Sequence, residues 1–337
     1  MSAIDGLVPL VETTRAGLRE CLHLGSAVLV DTQGQVLQEL GDAQQAFFTR
    51  STLKPFQALP LVQSGAAAGL GLDSAQLALL CASHNGEDMH VEQVNRLLAS
   101  AGASVSDLRC GRHVPYRFTW FNQAMPAGFA HDERHHNCSG KHSGFLAYCL
   151  WHRLPLSGYT DPAHPLQQAV LAAVAQVAGL DAAQIRVGID GCSAPNLALP
   201  LAALARCFAR LAAPPEDEPH AQALRTLGQA MTRHPELVSG SGRNDAAFMQ
   251  AGRGDWVCKI GADGLQVLAS RARGQALAVK VADGSTPALY AATVALLDQL
   301  GWLDAAQQAA LAPWRGTPLV NASGQVVGER RVLARWS

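Results

Sequence analysis

The sequence predicts an α+β fold in which an antiparallel sheet is built from both chain ends around a mostly helical middle region. Three observations predict it: strand-like runs before about residue 50, helical recurrence of apolar residues after it, and strand character returning at Trp256 before a closing helix. The whole chain, 1–337, reads as a single two-lobed domain. Its sheet lobe takes approximately 1–50 and 240–337, and its mostly helical lobe takes 51–239.

In chain order, HLGSAVLVDTQGQVLQELGD joins two apolar runs through the turn signal Asp31 to Gly34 and predicts a β-hairpin. STLKPFQALPLVQSGAAAGLGL predicts a helix that starts at a Ser-Thr cap, accepts Pro55 in its first turn and ends near Gly65. Apolar residues then recur at three and four positions in SAQLALLCASH, HVEQVNRLLASAG, PLQQAVLAAVAQVAGL and AALARCFARLAA, as amphipathic helices require. The long segment GRHVPYRFTWFNQAMPAGFAHDERHH reads as a loop over or near a pocket, with structural roles for His113, His131 and His135. AAPPEDEPHAQ reads as a solvated acidic connection, ALRTLGQAMTRH as a helix and HPELVSGSGRND as a loop. WVCKIGADGLQVLASRARGQALAVKVADGS supplies two or three antiparallel strands, and TPALYAATVALLDQLGWL closes with a helix.

With 337 residues, 48% of them apolar, the chain can fill a sizeable core. A formal charge of -1 leaves no basic field for nucleic acid or an anionic membrane, so a small-molecule partner is expected. Neither a secretory leader nor a membrane-spanning apolar run is evident, which predicts a cytoplasmic location. Eight scattered cysteines in a chain of this size predict reduced thiols, with Cys149 and Cys207 as core fillers.

Chemistry concentrates in a few motifs. RSTLKPFQ sets Ser51 and Lys54 three apart, so an amine with a lowered pKa can approach a hydroxyl and serve as its base. By itself such spacing arises often by chance. Ser83-His84-Asn85 follows an apolar run, and Lys259-Ile260-Gly261 lies on a predicted strand. Serine acylases of the β-lactamase and penicillin-binding-protein type carry S-x-x-K, S-x-N and K-[ST]-G in this chain order. Ile260 departs from that pattern, because it replaces the hydroxyl residue of the third element.

A second cluster pairs HHNCSGKHSG with GIDGCSAPN, gathering Cys138, Cys192 and several nitrogen donors, a set that suits zinc. Spacing rules alone favour His142 or His136 as the nitrogen ligand. In SGSGRND, Arg243 and Asp245 read as an internal ion pair or pocket wall.

Taken together, RSTLKPFQ, CASHNGE, HNCSGKHSG, GIDGCSAPN, SGSGRND and CKIGADG resemble the rhizobial-type, or third, class of bacterial L-asparaginases, from about residue 10 to the C-terminus. The resemblance implies a serine-dependent amidohydrolase with a β-lactamase-like fold, a homodimer, and a Zn2+ site beside the catalytic pocket. It implies two serine–lysine pairs, Ser51 with Lys54 and Ser83 with Lys259, around the side-chain amide of L-asparagine, and leaves open which serine attacks. The predicted helix start, with a nearby amine and N–H donors, favours Ser51, Ser83 then relaying protons with Lys259. Zinc ligands would be Cys138, Lys141 and Cys192, the lysine displacing the histidine that spacing favours. Arg50, His84, Asp190 and His142 would line the substrate pocket, Arg50 facing the α-carboxylate. Competing expectations are a serine amidase of the same fold acting on glutamine or another small amide, a zinc-stabilised amino-acid-binding protein without catalysis, and a zinc-bound water as nucleophile.

Overall fold

The computed structural model of the protein describes residues 6–336. Its main sheet contains β1 (Val8–Arg15), β2 (Leu18–Asp31), β3 (Val36–Leu40), β7 (Trp256–Gly261), β8 (Leu265–Ser270), β9 (Gln275–Val281), β10 (Leu319–Val320) and β11 (Val326–Val332). The order is β10-β11-β1-β2-β9-β8-β7, with β3 also on β2, and each pairing is antiparallel. Both chain ends therefore meet in one sheet, as the sequence predicts. A small second sheet joins β4 (Ala46–Phe48), β6 (Pro195–Pro200) and β5 (Arg186–Ile189).

The hairpin turn forms where Asp31 Oδ1 accepts the N–H groups of Gln33 and Gln35, each at 2.9 Å, and Gly34 adopts a φ of +85°. Strands β7 and β8 are buried at every position, so both faces of this part of the sheet are covered. Helix Leu201–Ala212 lies on β2, β8 and β9, while helix Thr286–Gln299 lies on β1, β9 and β11. Cys149 and Cys207 are buried in the apolar core, and all eight cysteines are free thiols.

Four details differ from the sequence expectations. β1 was not apparent in the sequence, because VPLVETTR is buried over five consecutive residues and lacks alternation. The C-terminal helix does not close the chain: β10 and β11 follow, the latter masked by the charged run Glu329-Arg330-Arg331. The helix expected from Ser51 to Gly65 is divided into a 3-10 turn, Arg50–Leu53, and two short helices, Lys54–Gln57 and Leu59–Gln63. Pro60 has no N–H to give Phe56, so the ladder breaks near Ala58, and Ser51 sits within the 3-10 turn instead of capping a helix. Finally, the acidic connection is only partly solvated, since Glu218 is buried against the guanidinium of Arg210.

Candidate active site

Ser51 follows a pinned strand-to-helix turn. Thr49 fixes the end of β4 by donating from N–H and Oγ1 to Leu197 O at 3.0 and 2.9 Å, and Thr52 Oγ1 donates back to Thr49 O at 2.6 Å. Between them Arg50 adopts a φ of +48°, a left-handed conformation costing roughly 1–2 kcal/mol for a residue with a Cβ. Its N–H is held by Asn196 Oδ1 at 3.0 Å. The surrounding contacts thus enforce a strained turn that sets Ser51 at a cavity.

Ser83 reaches the same cavity from the end of helix Ser74–Leu80, where its N–H bonds Val238 O at 2.8 Å. The space, about 220 Å³, is bordered by Ser51, Ser83, Tyr116, Trp120, Asn137, Arg243, Gly261, Asp263 and Thr286. Lys54 lies behind it, 1% exposed, with Nζ 2.9 Å from Ser83 Oγ, 3.1 Å from Asn137 O and 2.5 Å from Ala82 O. Burial lowers the pKa of this amine to about 8, with nearby Lys141 and Lys259 acting in the same direction against the opposing pull of Cys138. In the neutral amine the two carbonyls accept both N–H groups. The lone pair is then left to accept the Ser83 hydroxyl proton.

This pairing differs from the expected Ser51–Lys54 and Ser83–Lys259 pairs. Lys54 engages Ser83, and Lys259 engages Asp245, its Nζ lying 2.6 Å from Oδ2 with both side chains fully buried. Asp245 Oδ1 also accepts the Ile260 N–H at 2.7 Å, so the carboxylate locks strand β7 as well as its lysine. Of the two readings of Arg243 and Asp245, an ion pair between them is absent among the described contacts, whereas Arg243 does form part of the pocket wall. Arg243 stacks 3.6 Å above the Trp120 ring and donates to Asn85 Oδ1 at 2.9 Å. Asn85 Nδ2 donates to Ser241 O at 3.2 Å, and a Cβ on Gly240 would come within 2.4 Å of it, so only glycine permits this approach.

The thiol cluster forms at one end of helix Ser139–Trp151, which packs so closely on helix Ser74–Leu80 that a Cβ on Gly140 would lie 2.4 Å from Leu79 O. Cys138, Lys141 and Cys192 are all buried, and Lys141 Nζ lies 3.0 Å from Cys192 Sγ. Contact with Cys138 holds the Cys192 thiol well below its ordinary pKa, against the effect of burial, and Lys141 reinforces this. For Lys141, burial favours the neutral form but the two sulfurs outweigh it and raise the pKa. His142 donates or accepts through Nδ1 with Tyr159 OH at 2.7 Å, while its buried Nε2 has no hydrogen-bond partner. Among the described residues no group of three His, Cys, Asp or Glu side chains is arranged to hold a metal; the cysteine–lysine set contains only two such residues.

Arg50 lies on the rim of a second space beside the serine cavity, which Asp190 and Asp263 also border. Its Nε donates to Asp190 Oδ1 at 3.0 Å, and its Nη1 contacts Asp263 Oδ2. His84 is fully buried away from this rim. Its Nδ1 accepts the Gly86 N–H at 3.1 Å, which leaves Nε2 protonated to donate to Ser139 Oγ at 2.9 Å. Burial, followed by the stacked His90, keeps its pKa well below the usual histidine value. His84 therefore ties the Ser83 turn to the thiol helix. His113 similarly contacts Asn137 Oδ1 at 3.1 Å and stacks on Tyr116, which places the long loop beside the cavity.

A profile of the L-asparaginase II family matches residues 11–332. The chain belongs to that family. It is an L-asparaginase, a hydrolase acting on a small-molecule amide. No curated protein matches the sequence. Among solved structures similar to this asparaginase is a β-lactamase from Mycobacterium bovis, with 16% identity, a TM-score of 0.38, and coverage of 86% of this chain and 95% of that one. No helix among the described residues is long and apolar enough to cross a membrane.

The sequence of this asparaginase did not single out Tyr116, Trp120, Asn137, Asp263 and Thr286, all of which border the cavity. Signals were available for four of them: Tyr116 and Trp120 lie in the aromatic run YRFTWF, Asn137 in HNCSGKHSG and Asp263 in CKIGADG.

Proposed function

We propose that asparagine hydrolysis here proceeds by serine–lysine acyl transfer, with Ser51 as nucleophile and Ser83 carrying its proton to Lys54. The observation that carries this reading is the contact of a buried, easily neutralised amine with one of two serines that border a common cavity. Ser51 is the more exposed hydroxyl, whereas Ser83 is 3% exposed and already engaged by Lys54. Attack of Ser51 Oγ on the side-chain carbonyl carbon forms an ester as the C–N bond breaks. The proton held at Lys54 passes to the departing nitrogen to give ammonia, and water then cleaves the ester to aspartate. Lys259 is read as a fixed positive charge that, with burial, lowers the pKa of Lys54, in place of the direct partnership with Ser83 that the motifs suggested.

Because the base must be neutral, its active form accumulates above its pKa. The rate kcat/KM is expected to rise with pH through about 8 and level off above it. Stopped assays of ammonia release across this range test the proposal, and a rate falling through the same window would remove Lys54 as base.

The donor set also suits Zn2+: the Cys192 thiol contacts Cys138 and lies 3.0 Å from Lys141 Nζ, so two thiols and an amine meet at the head of helix Ser139–Trp151. Cys138, Lys141 and Cys192 would hold the ion, Lys141 giving up its proton on binding. Bound there, zinc would supply Lewis-acid charge beside the pocket and order the loops carrying Asp190 and Asn137. The resemblance to the third class of bacterial L-asparaginases supports a homodimer, and the sequence pattern of the first thirty residues supports a cytoplasmic enzyme. Native mass spectrometry is expected to show twice the chain mass with one zinc per chain; a metal-free monomer after purification in zinc-containing buffer contradicts both.

A further inference from the structure

We infer that Asp263 is a displaceable counter-ion of Arg50 that makes entry to the serine cavity depend on a substrate carboxylate. The inference rests on the proposed role of Arg50 in holding that carboxylate. Beside the serine cavity lies a second space of about 350 Å³, bordered by Phe47, Phe48, Arg50, Asp190, Asp263 and Lys280. Asp263 borders both spaces, and its contact with Arg50 lies on their common rim.

The two carboxylates on Arg50 are not equivalent. Asp190 is 14% exposed in its side chain, and its Oδ1 also accepts the Gly191 N–H at 2.8 Å, so it is a fixed partner. Asp263 is 70% exposed in its side chain and has no other side-chain hydrogen bond among the described contacts. Its backbone is nevertheless pinned, because Lys280 Nζ donates to Asp263 O at 2.7 Å. Releasing Arg50 therefore needs only a side-chain rotation that returns one carboxylate to water. No loop has to move.

Asparagine carries what this rim requires: a carboxylate to replace Asp263 on the guanidinium, and an ammonium to balance Asp190. An amide without the carboxylate has nothing to exchange. Arg50 thus remains latched against it, and Asp263 becomes a specificity-determining residue that acts through Arg50.

The test is Asp263→Asn, a near-isosteric change to a residue that tolerates the φ of +58° at this position. Loss of an exposed ion pair is expected to lower KM for L-asparagine and the calorimetric Kd for L-aspartate by about two- to fivefold, with the change in KM and not in kcat. Inhibition by 3-aminopropanamide, which lacks the carboxylate, is expected to strengthen as the entrance opens. An unchanged Kd for aspartate would overturn the latch, and a higher one would instead make Asp263 part of the substrate grip. Arg50→Gln separates the underlying reading: if that variant binds aspartate normally, Arg50 does not hold the carboxylate at all, whereas weakened binding beside an unaltered Asp263→Asn condemns the latch alone.

Discussion

Replacing Ser51 by alanine is expected to reduce kcat by at least about a thousandfold, because no ester can form without the attacking oxygen. The Arg50–Asp190 contact, proposed to receive the substrate, is untouched by the substitution, so L-aspartate should still bind. Ser83→Ala differs in kind. It removes the group between Ser51 and Lys54 but leaves the attacking oxygen in place, and water filling the vacated space can carry the proton less efficiently. A smaller fall in rate and a changed pH profile are expected. Mass spectrometry after acid quench of a slow substrate gives the decisive reading: an adduct on the peptide containing Ser51 supports the assignment, while one on the peptide containing Ser83 exchanges the two roles. Ser51→Ala with near-normal turnover and no adduct on either serine would instead favour a water nucleophile.

The parts of the site legible in the sequence were those encoded by local spacing. Ser51 and Lys54 are one turn apart, and Ser83 and Lys259 sit in short motifs whose order alone suggested a common site. The partners were less legible, because a lysine side chain is long enough to choose among several neighbours. Lys54 turns to Ala82 O, Ser83 Oγ and Asn137 O, three atoms that only the packed fold brings together. Asp245 was legible only in part: it does form an internal ion pair, but Arg243 sits in extended backbone before helix Asn244–Ala251 and turns to the cavity wall instead. The acid's true partner lies on β7, 14 residues later.

The fold shows the same division. β2 and β3 announced themselves through the Asp31–Gly34 turn, and β7 to β9 through long apolar runs. β1 and β11 were hidden because they pair with each other, β1 also with β2 and β11 with β10, while their own sequences mix polar and charged residues with the apolar ones. Pairing between segments more than three hundred residues apart leaves no local signature in either one.

The second large effect is expected on stability, at the Lys259–Asp245 pair. Both side chains are wholly excluded from solvent, so removing one leaves the other as a buried charge without its partner. Asp245→Ala should therefore destabilise the protein by about 3–5 kcal/mol, since it also strips the Ile260 N–H of its acceptor. In thermal unfolding this corresponds to a fall of roughly 5–15 °C in Tm. The double variant Asp245→Ala/Lys259→Met removes the stranded charge and refills the space beside β7 with an apolar side chain of similar length. It should recover a substantial part of the lost Tm, while the rise of kcat/KM should move to higher pH, because burial and Lys141 still lower the pKa of Lys54 but the smaller contribution of Lys259 is gone. If the single and double variants unfold at the same temperature, the pair contributes no coupled stability. If the pH profile of the double variant does not move, Lys259 acts only on the fold and contributes nothing to the pKa of Lys54.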